Sequence, residues 1–572
     1  MPLLQNTADP AARWLVQKFG GTSVGKFAVN IAEDIVAHYI PQHRVAVVCS
    51  ARSASTKALG TTNLLLRSAA QTLRPRRKGS QSGTTTPVRG LFGAGTTDGS
   101  QSPPSPQSPR SLPAGLTPLV PEFNATVDLI RDEHAAAARA SVRDPGLLAE
   151  LLHEIEADCD WLRNFLFAAQ IIDEISSRSQ DSIVGLGERL ACKIMTAVLR
   201  DRGIDAEYVS LDDIVPDAPG PDDTDDAAAL DQAFYDALAA AIGARILACG
   251  PRVPVITGFF GPVPGSLLAQ VGRGYTDLCS ALCAVGLRAA ELQIWKEVDG
   301  IFTADPRKVP TARLLSIITP DEAAELTYYG SEVVHPFTME QAIRRKIPIR
   351  IKNVENPKGG GTVIYPDETE PADDAAAGAT TTPSTVPLAT LRRMDEPGAA
   401  DDRKRQRFPT AVTIKEHIVV LNINSNRKSV SHGFLAGIFS TLDQYNVVVD
   451  LISTSEVHVS MAIEDALAKR LLDRLVRELR KIGTVSMHRD MAILSLVGKE
   501  MRNMVGIAGK MFTTLAQGSV NIEMISQGAS EINISCVIQA RDAVKALNLI
   551  HQGCLQIVPD GMRGRGECFS IP

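Results

Sequence analysis

Residues Trp14 to Phe27 read WLVQKFGGTSVGKF: an apolar run that ends on Lys18 and Phe19, a glycine pair at Gly20 and Gly21, then Thr-Ser and another glycine. WLVQKF has the composition of a buried strand, and the small residues after it mark a turn into a helix expected from about Val24. Glycines at such a junction clear space where the helix presents unpaired N–H groups and the positive end of its dipole, so an anion fits there. The order differs from a Walker loop, GxxxxGK[ST], whose lysine follows the glycines. Here the lysine belongs to the strand and meets an anion from the sheet side.

The same alternation continues outward from that stretch. RVAVVCS, AEYVSL, RVPVITGFF, LQIWKEV and IPIRIKNV read as further strands. NIAEDIVAHYI and DSIVGLGERLACKIMTAVLRDRG carry helical periodicity, the latter stopped by Gly203. Short buried strands alternating with helices predict an α/β domain with a mostly parallel sheet, whose ligands gather at the carboxyl ends of the strands.

Composition bounds the rest. A chain of 572 residues exceeds one ordinary core and suggests roughly three or four domains. With 59 Lys+Arg against 65 Asp+Glu, a net charge of -6 and no long basic tract, nucleic acid is not an expected partner. No apolar stretch reaches the roughly 18 to 20 residues a bilayer needs, and the first residues lack a signal peptide's charged start and apolar centre, so the expected location is cytoplasmic with no membrane partner. Nine cysteines are scattered without CxxC or His/Cys clusters, which argues against a disulfide framework or structural zinc. Residues 74–115 are rich in Gly, Ser, Thr, Pro and Gln and read as a disordered insertion; residues 366–408 read as a linker.

A second glycine-dense segment follows another strand. Between Gly258 and Ala284, glycines at 258, 261, 265, 272 and 274 surround Arg273, and Asp277 comes just before small residues that open a helix. So many glycines suggest close backbone approach to a ligand, with Arg273 and Asp277 as a cation and a carboxylate at a helix start.

KFGGTSV, GLGERL, GRGYTD, VDGIFTADPR and VVHPFTMEQA, in this order, resemble aspartate kinases, enzymes of the amino-acid-kinase fold, and the wording is closest to the fungal monofunctional type. The resemblance covers about 14–70, 145–365 and 410–570. It implies ATP with magnesium, L-aspartate as substrate and 4-phospho-L-aspartate as product, at the entry to threonine and methionine synthesis. Lys18 matches the lysine that meets the transferring phosphate, and Gly20 and Gly21 would cradle it. Ser50 and Thr62 match positions that hold aspartate, Thr62 also reading as a helix N-cap. Glu188 matches the carboxylate that takes the α-ammonium, Arg273 would grip a substrate carboxylate, and Asp277 would orient Lys18 and the substrate. Gly185 and Gly187 beside Glu188 read as sites of close approach rather than packing. Lys296, Glu297, Phe302 and Arg307 match the nucleotide end. Bacterial relatives often have a lysine where this chain has Glu332, so that position is not carried over. No protein metal site is implied, magnesium travelling with ATP.

The last third contains a repeat. GFLAGIFSTLDQYNVVVDLIS from Gly433 and GIAGKMFTTLAQGSVNIEMIS from Gly506 run in register, each preceded by an apolar strand and followed by another. Each unit reads strand, helix, strand, strand. The pair resembles ACT domains, ferredoxin-like modules that bind amino acids and pair between chains, here expected at 409–485 and 490–572 after a kinase domain at 14–365. The resemblance implies a homo-oligomer and an effector, threonine first, held by Gly433, Phe434 and Leu435 with Asp450, Ser455 and Glu456 across an interface. The C-terminal CLQIVPDG is a candidate strand for the first unit. Two alternatives remain: a kinase of glutamate or N-acetylglutamate, and a non-catalytic ACT sensor.

Overall fold

The computed structural model describes residues 3–9, 11–53, 60–73, 121–215, 230–261, 263, 266–330, 334–365, 408–425, 433–455, 457–528 and 532–555. The 74–115 insertion, almost all of the linker, Gly265, Glu332, Glu456 and all but two residues of CLQIVPDG fall outside them.

The N-terminal unit is built from β1 (Trp14–Phe19), α1 (Gly21–Asn30), β2 (Arg44–Cys49), α2 (Thr61–Thr72), α3 (Glu122–Ser141), α4 (Pro145–Ile172), α5 (Ser177–Asp201), β3 (Ala206–Val209), α6 (Gln232–Leu247), β4 (Val253–Thr257), α7 (Leu267–Gln270), α8 (Tyr275–Gly286), β5 (Glu291–Lys296), β6 (Ile317–Ile318), α9 (Pro320–Tyr328), α10 (Pro336–Arg344), β7 (Ile349–Asn353) and β8 (Thr362–Ile364). Its strands form one sheet in the order β3-β4-β2-β1-β5-β7-β8-β6. Neighbours are parallel from β3 to β7, and only the β7–β8 pair is antiparallel. Apolar side chains on the two faces feed two separate cores, so the sheet is covered on both sides, as the near-continuous hydrophobic strands require. Every described cysteine is free and buried. Among the described residues no helix is long and apolar enough to cross a membrane.

Three local expectations change. The first helix starts at Gly21, with Gly20 as its extended N-cap, not near Val24. It then runs through a π-turn, Ile31–Val36, into Ala37–Tyr39, which the simple 3.6 periodicity does not reveal. Gly60 caps α2, so Thr62 sits in the first turn and is no N-cap.

The C-terminal unit comprises β9 (Ala411–Ser425), α11 (Phe434–Gln444), β10 (Val449–Thr454), β11 (His458–Glu464), α12 (Lys469–Ile482), β12 (Gly483–Val497), α13 (Ile507–Gln517), β13 (Met524–Ser526), β14 (Asn533–Gln539) and α14 (Ala543–Gly553). Each repeat therefore carries a second helix that the strand-helix-strand-strand reading lacked. The sheet order is β10-β11-β9-β12-β14-β13. Both β9 and β12 run through both repeats and break midway, at His417 (φ 60) and Asp490 (φ 57). Val412 and Ile414 at the start of β9 pack in the second repeat's core, while Val419, Leu421 and Ile423 pack in the first. Packing thus exchanges strand halves between the repeats instead of dividing them at 485/490. Ala411 and Val497 enter the N-terminal unit's own core, which ties the two units together.

Candidate active site

Lys18 ends the central strand, paired on one side with β2 and on the other with β5. Its buried Nζ lies 2.7 Å from Asp277 Oδ1, in the first turn of α8. Burial alone would push the Asp277 carboxyl up, but the charge and hydrogen bond of Lys18, helped by Lys296 and His335, hold it below the ordinary carboxylate range. At neutral pH Asp277 is therefore ionised.

The glycines beside it serve different purposes. A side chain on Gly20 would meet nothing within 4 Å, whereas a Cβ on Gly21 would lie 2.2 Å from the Ala51 carbonyl oxygen. Gly21 is there so that α1 can press against the backbone after β2, where the Ser53 N–H donates to the Gly21 carbonyl. Gly20 thus leaves open space at the helix N-cap, where backbone N–H groups are unpaired. Gly185 and Gly187 correct the sequence reading: a Cβ would collide with the Phe259 ring at 2.5 Å and with Ala51 Cβ at 2.8 Å, so the close approach is internal packing.

Glu188 faces the same end of the sheet from α5 and is buried. Its Oε1 accepts from the Tyr275 hydroxyl at 2.7 Å and from the Ala51 N–H at 3.3 Å. Its Oε2 has no hydrogen-bond partner among the described residues. Burial pushes the carboxyl up to about 7, against the opposing pull of Tyr275, the Ala51 N–H, its own backbone and Thr276. A half-satisfied buried carboxylate is costly unless something cationic completes it.

Ser50 follows β2, and its Oγ accepts from Thr276 Oγ1 at 3.5 Å. Thr62 stands half-buried in the first turn of α2. Arg273 lies in the short turn Gly272–Gly274 just ahead of α8, and only its backbone is described. Lys296 ends β5, and Glu297 follows, accepting from Ser23 Oγ at 2.8 Å. Phe302 forms an isolated bridge with Leu314 and is half-buried. Arg307 lies farther out: its side chain is 88% exposed and pairs with Asp305 at 3.0 Å, the solvated arrangement. The fold thus gathers Lys18, Gly20, Gly21, Ser50, Glu188 and Asp277 at one sheet end and leaves Arg307 outside that group. Tyr275, Thr276 and Ser23 escaped the sequence reading, although each lies inside a quoted motif.

The described residues contain no cluster of three or more His, Cys, Asp or Glu that could hold a metal ion. With a cation, a helix N-terminus and an unsatisfied carboxylate side by side, the site can bind an anion and an ammonium group at once. Residues 13–353 match the amino acid kinase family and residues 494–553 an ACT domain. Aspartokinase of Schizosaccharomyces pombe is 49% identical over 96% of this chain and 94% of its own length.

The chain belongs to the aspartokinase family.

The aspartokinase of Saccharomyces cerevisiae is similar at 47% identity over 96% of this chain and 94% of that one. Among solved structures, Escherichia coli aspartokinase III in complex with aspartate and ADP matches with a TM-score of 0.62 at 26% identity, covering 94% of this chain and 99% of that chain. The same enzyme in complex with lysine and aspartate matches with a TM-score of 0.64 at 25% identity, over 94% and 99%.

In the ACT pair of this aspartokinase family member, Gly433 caps α11 with φ 78, Phe434 is buried in the first repeat's core, and Leu435 is exposed. Phe434 can therefore offer an effector only its backbone. Strands β9 and β10 are both antiparallel to β11, so α11 returns the chain and Asp450 begins β10 at the end opposite Gly433. Eleven helical residues, about 16 Å, separate the two ends. Asp450 instead pairs with Lys415 at 2.7 Å, whose ammonium lies over the Tyr328 ring at 5.8 Å. Ser455, after β10, shares the Gly433 end.

Proposed function

We propose that the chain is a cytoplasmic aspartate kinase that transfers the γ-phosphoryl group of ATP to the β-carboxylate of L-aspartate. The products are 4-phospho-L-aspartate and ADP, the first step toward threonine and methionine. The observation that carries this reading is the Lys18–Asp277 ion pair beside a buried Glu188 whose Oε2 has no hydrogen-bond partner among the described residues.

In this reading Glu188 takes the α-ammonium of aspartate, Ser50 and Thr62 border the substrate, and Arg273 grips a carboxylate with its planar fork. The β-carboxylate oxygen attacks the γ-phosphorus while the bond to the bridging oxygen breaks and its electron pair leaves with ADP. The attacking carboxylate is already ionised at neutral pH, so no base is required and Asp277 serves to orient Lys18. Lys18 and the first N–H groups of α1 offset charge developing on the phosphoryl oxygens. Gly20 leaves room for that group, and Lys296, Glu297 and Phe302 line the nucleotide end, while Arg307, exposed and paired with Asp305, would have to leave that pair to reach the phosphates. Magnesium would enter bound to ATP, where its charge would offset that of the phosphates.

The ACT pair holds an amino-acid effector, threonine first, at the Gly433 end of α11. Exposed Leu435, Phe439 and Val448 support pairing of two copies through this face. Such pairing is the route by which Asp450, at the far end of β10, would reach the effector of another copy. A coupled ADP-release assay with aspartate, glutamate and N-acetylglutamate tests the substrate. Turnover with aspartate is expected; turnover with glutamate alone, or with none, would sink the reading.

A further inference from the structure

The segment after β5 that carries Phe302 and Arg307 does not rest on the N-terminal unit alone. The Val412 N–H, at the start of β9, donates to the Thr303 carbonyl at 2.9 Å. Ala304 and Val309 are buried in the second ACT repeat's core with Leu547 and Ile550 of α14. Asn548 Nδ2 donates to the Lys308 carbonyl at 3.1 Å, and Lys308 Nζ lies 3.0 Å from Glu416 Oε1.

At the centre of this seam is His551, which is fully buried. Its Nε2 is 2.9 Å from Thr303 Oγ1 and its Nδ1 is 3.3 Å from Thr311 Oγ1. Thr303 Oγ1 also accepts from the Arg313 N–H at 2.9 Å. A neutral imidazole has one donor and one acceptor, and a hydroxyl can be either, so the ring satisfies both threonines in either tautomer. One side chain from the regulatory unit thus closes both strands of the loop, Thr303 on the outgoing limb and Thr311 on the returning one.

We propose that the second ACT repeat completes the nucleotide end of the kinase, with His551 as a positioning residue that holds the Thr303–Arg313 loop and, through it, Phe302. The proposal rests on the reading that this loop serves ATP. It predicts a cost confined to the nucleotide: loss of one buried hydrogen bond corresponds to about a 3- to 10-fold change.

The test is steady-state kinetics on the full-length chain with His551→Phe, Thr303→Val, the double variant, His551→Gln and, separately, Lys296→Ala. Expected is a 3- to 10-fold rise in KM for ATP in His551→Phe and Thr303→Val. KM for aspartate should stay within about twofold, the double variant should be no worse than the poorer single one, and His551→Gln should recover part of the loss. A parallel rise in both KM values, or additive single effects, marks a merely structural contact and overturns the proposal. If Lys296→Ala raises KM for ATP but neither His551→Phe nor Thr303→Val does, the proposal fails while the nucleotide reading stands. If Lys296→Ala leaves it unchanged, the nucleotide reading falls and takes the proposal with it. Should His551→Phe fail to fold, Thr311→Val, which keeps side-chain shape and removes the contact to His551 Nδ1 without touching the Thr303–Arg313 bond, decides the matter by the same rise in KM for ATP alone.

Discussion

Lys18 Nζ and Asp277 Oδ1 stand 2.7 Å apart, one at the end of the central strand and the other in the first turn of α8, both largely withdrawn from water. The proposed phosphoryl transfer calls for a fixed positive charge at the strand end, and the carboxylate of Asp277 holds the Lys18 ammonium there. Such a pair has an asymmetric energetics: removing one partner leaves an uncompensated charge, which costs about 3–5 kcal/mol.

Lys18→Ala is therefore expected to lower kcat by several powers of ten with a smaller change in KM for aspartate, because the charge acts on the transition state more than on the bound substrate. It should also lower Tm. Adding Asp277→Asn to it should recover stability without recovering turnover. A loss of aspartate affinity alone, with kcat intact, would contradict the assignment.

Glu188 is expected to set the pH dependence. Its carboxyl is held at about 7 in the fold against an ordinary 4.5, so between those values the folded protein binds more protons than the unfolded one. Its contribution to the stability of the unliganded protein is full below about 4.5 and lost as pH rises through about 7. Aspartate binding runs the other way, since the ammonium needs the ionised carboxylate. KM for aspartate should rise toward tenfold per unit as pH falls below about 7, and Glu188→Gln should raise it at neutral pH and flatten that slope. A wild-type profile flat from pH 5 to 8 would remove Glu188 from the site.

The two glycines after β1 should separate in mutation. Gly21→Ala drives a methyl into the Ala51 carbonyl, 2.2 Å away, and is expected to cost about 1–3 kcal/mol in unfolding measurements. Gly20→Ala has open space and an ordinary φ of -69, so its Tm should hold or rise slightly while turnover falls. Full activity in Gly20→Ala would mean that no phosphate comes close there.

Threonine, lysine and methionine, each added to the assay, test the regulatory unit. Threonine is expected to raise KM for aspartate or lower kcat. Leu435→Asp, at the exposed first turn of α11, is expected to weaken that response together with self-association in sedimentation. If none of the three amino acids changes the kinetics, the effector site falls.

Local signals announced much of this site. Lys18 at a strand end, the glycines, Glu188 and Asp277 all lie in short motifs whose elements were legible from their apolar periodicity. What stayed hidden depends on elements meeting from far apart. Gly185 has its reason in Phe259, which no helix pattern reveals. Tyr275 matters through its hydroxyl on Glu188, a contact made only when α5 and α8 converge. The exchange of strand halves turns on His417 and Asp490, two non-glycine residues at positive φ inside the long strands β9 and β12. Lys415 and Asp450 meet across β9 and β10, and His551 reaches a loop 248 residues away, neither with any local mark.

The most direct test of the central claim is to trap the acyl phosphate with hydroxylamine during turnover and identify the product by mass spectrometry. Aspartate β-hydroxamate is predicted from the wild-type chain with ATP and aspartate, and none from Lys18→Ala. Hydroxamate formed from glutamate but not from aspartate, or ADP released from aspartate mixtures without any hydroxamate, would contradict it.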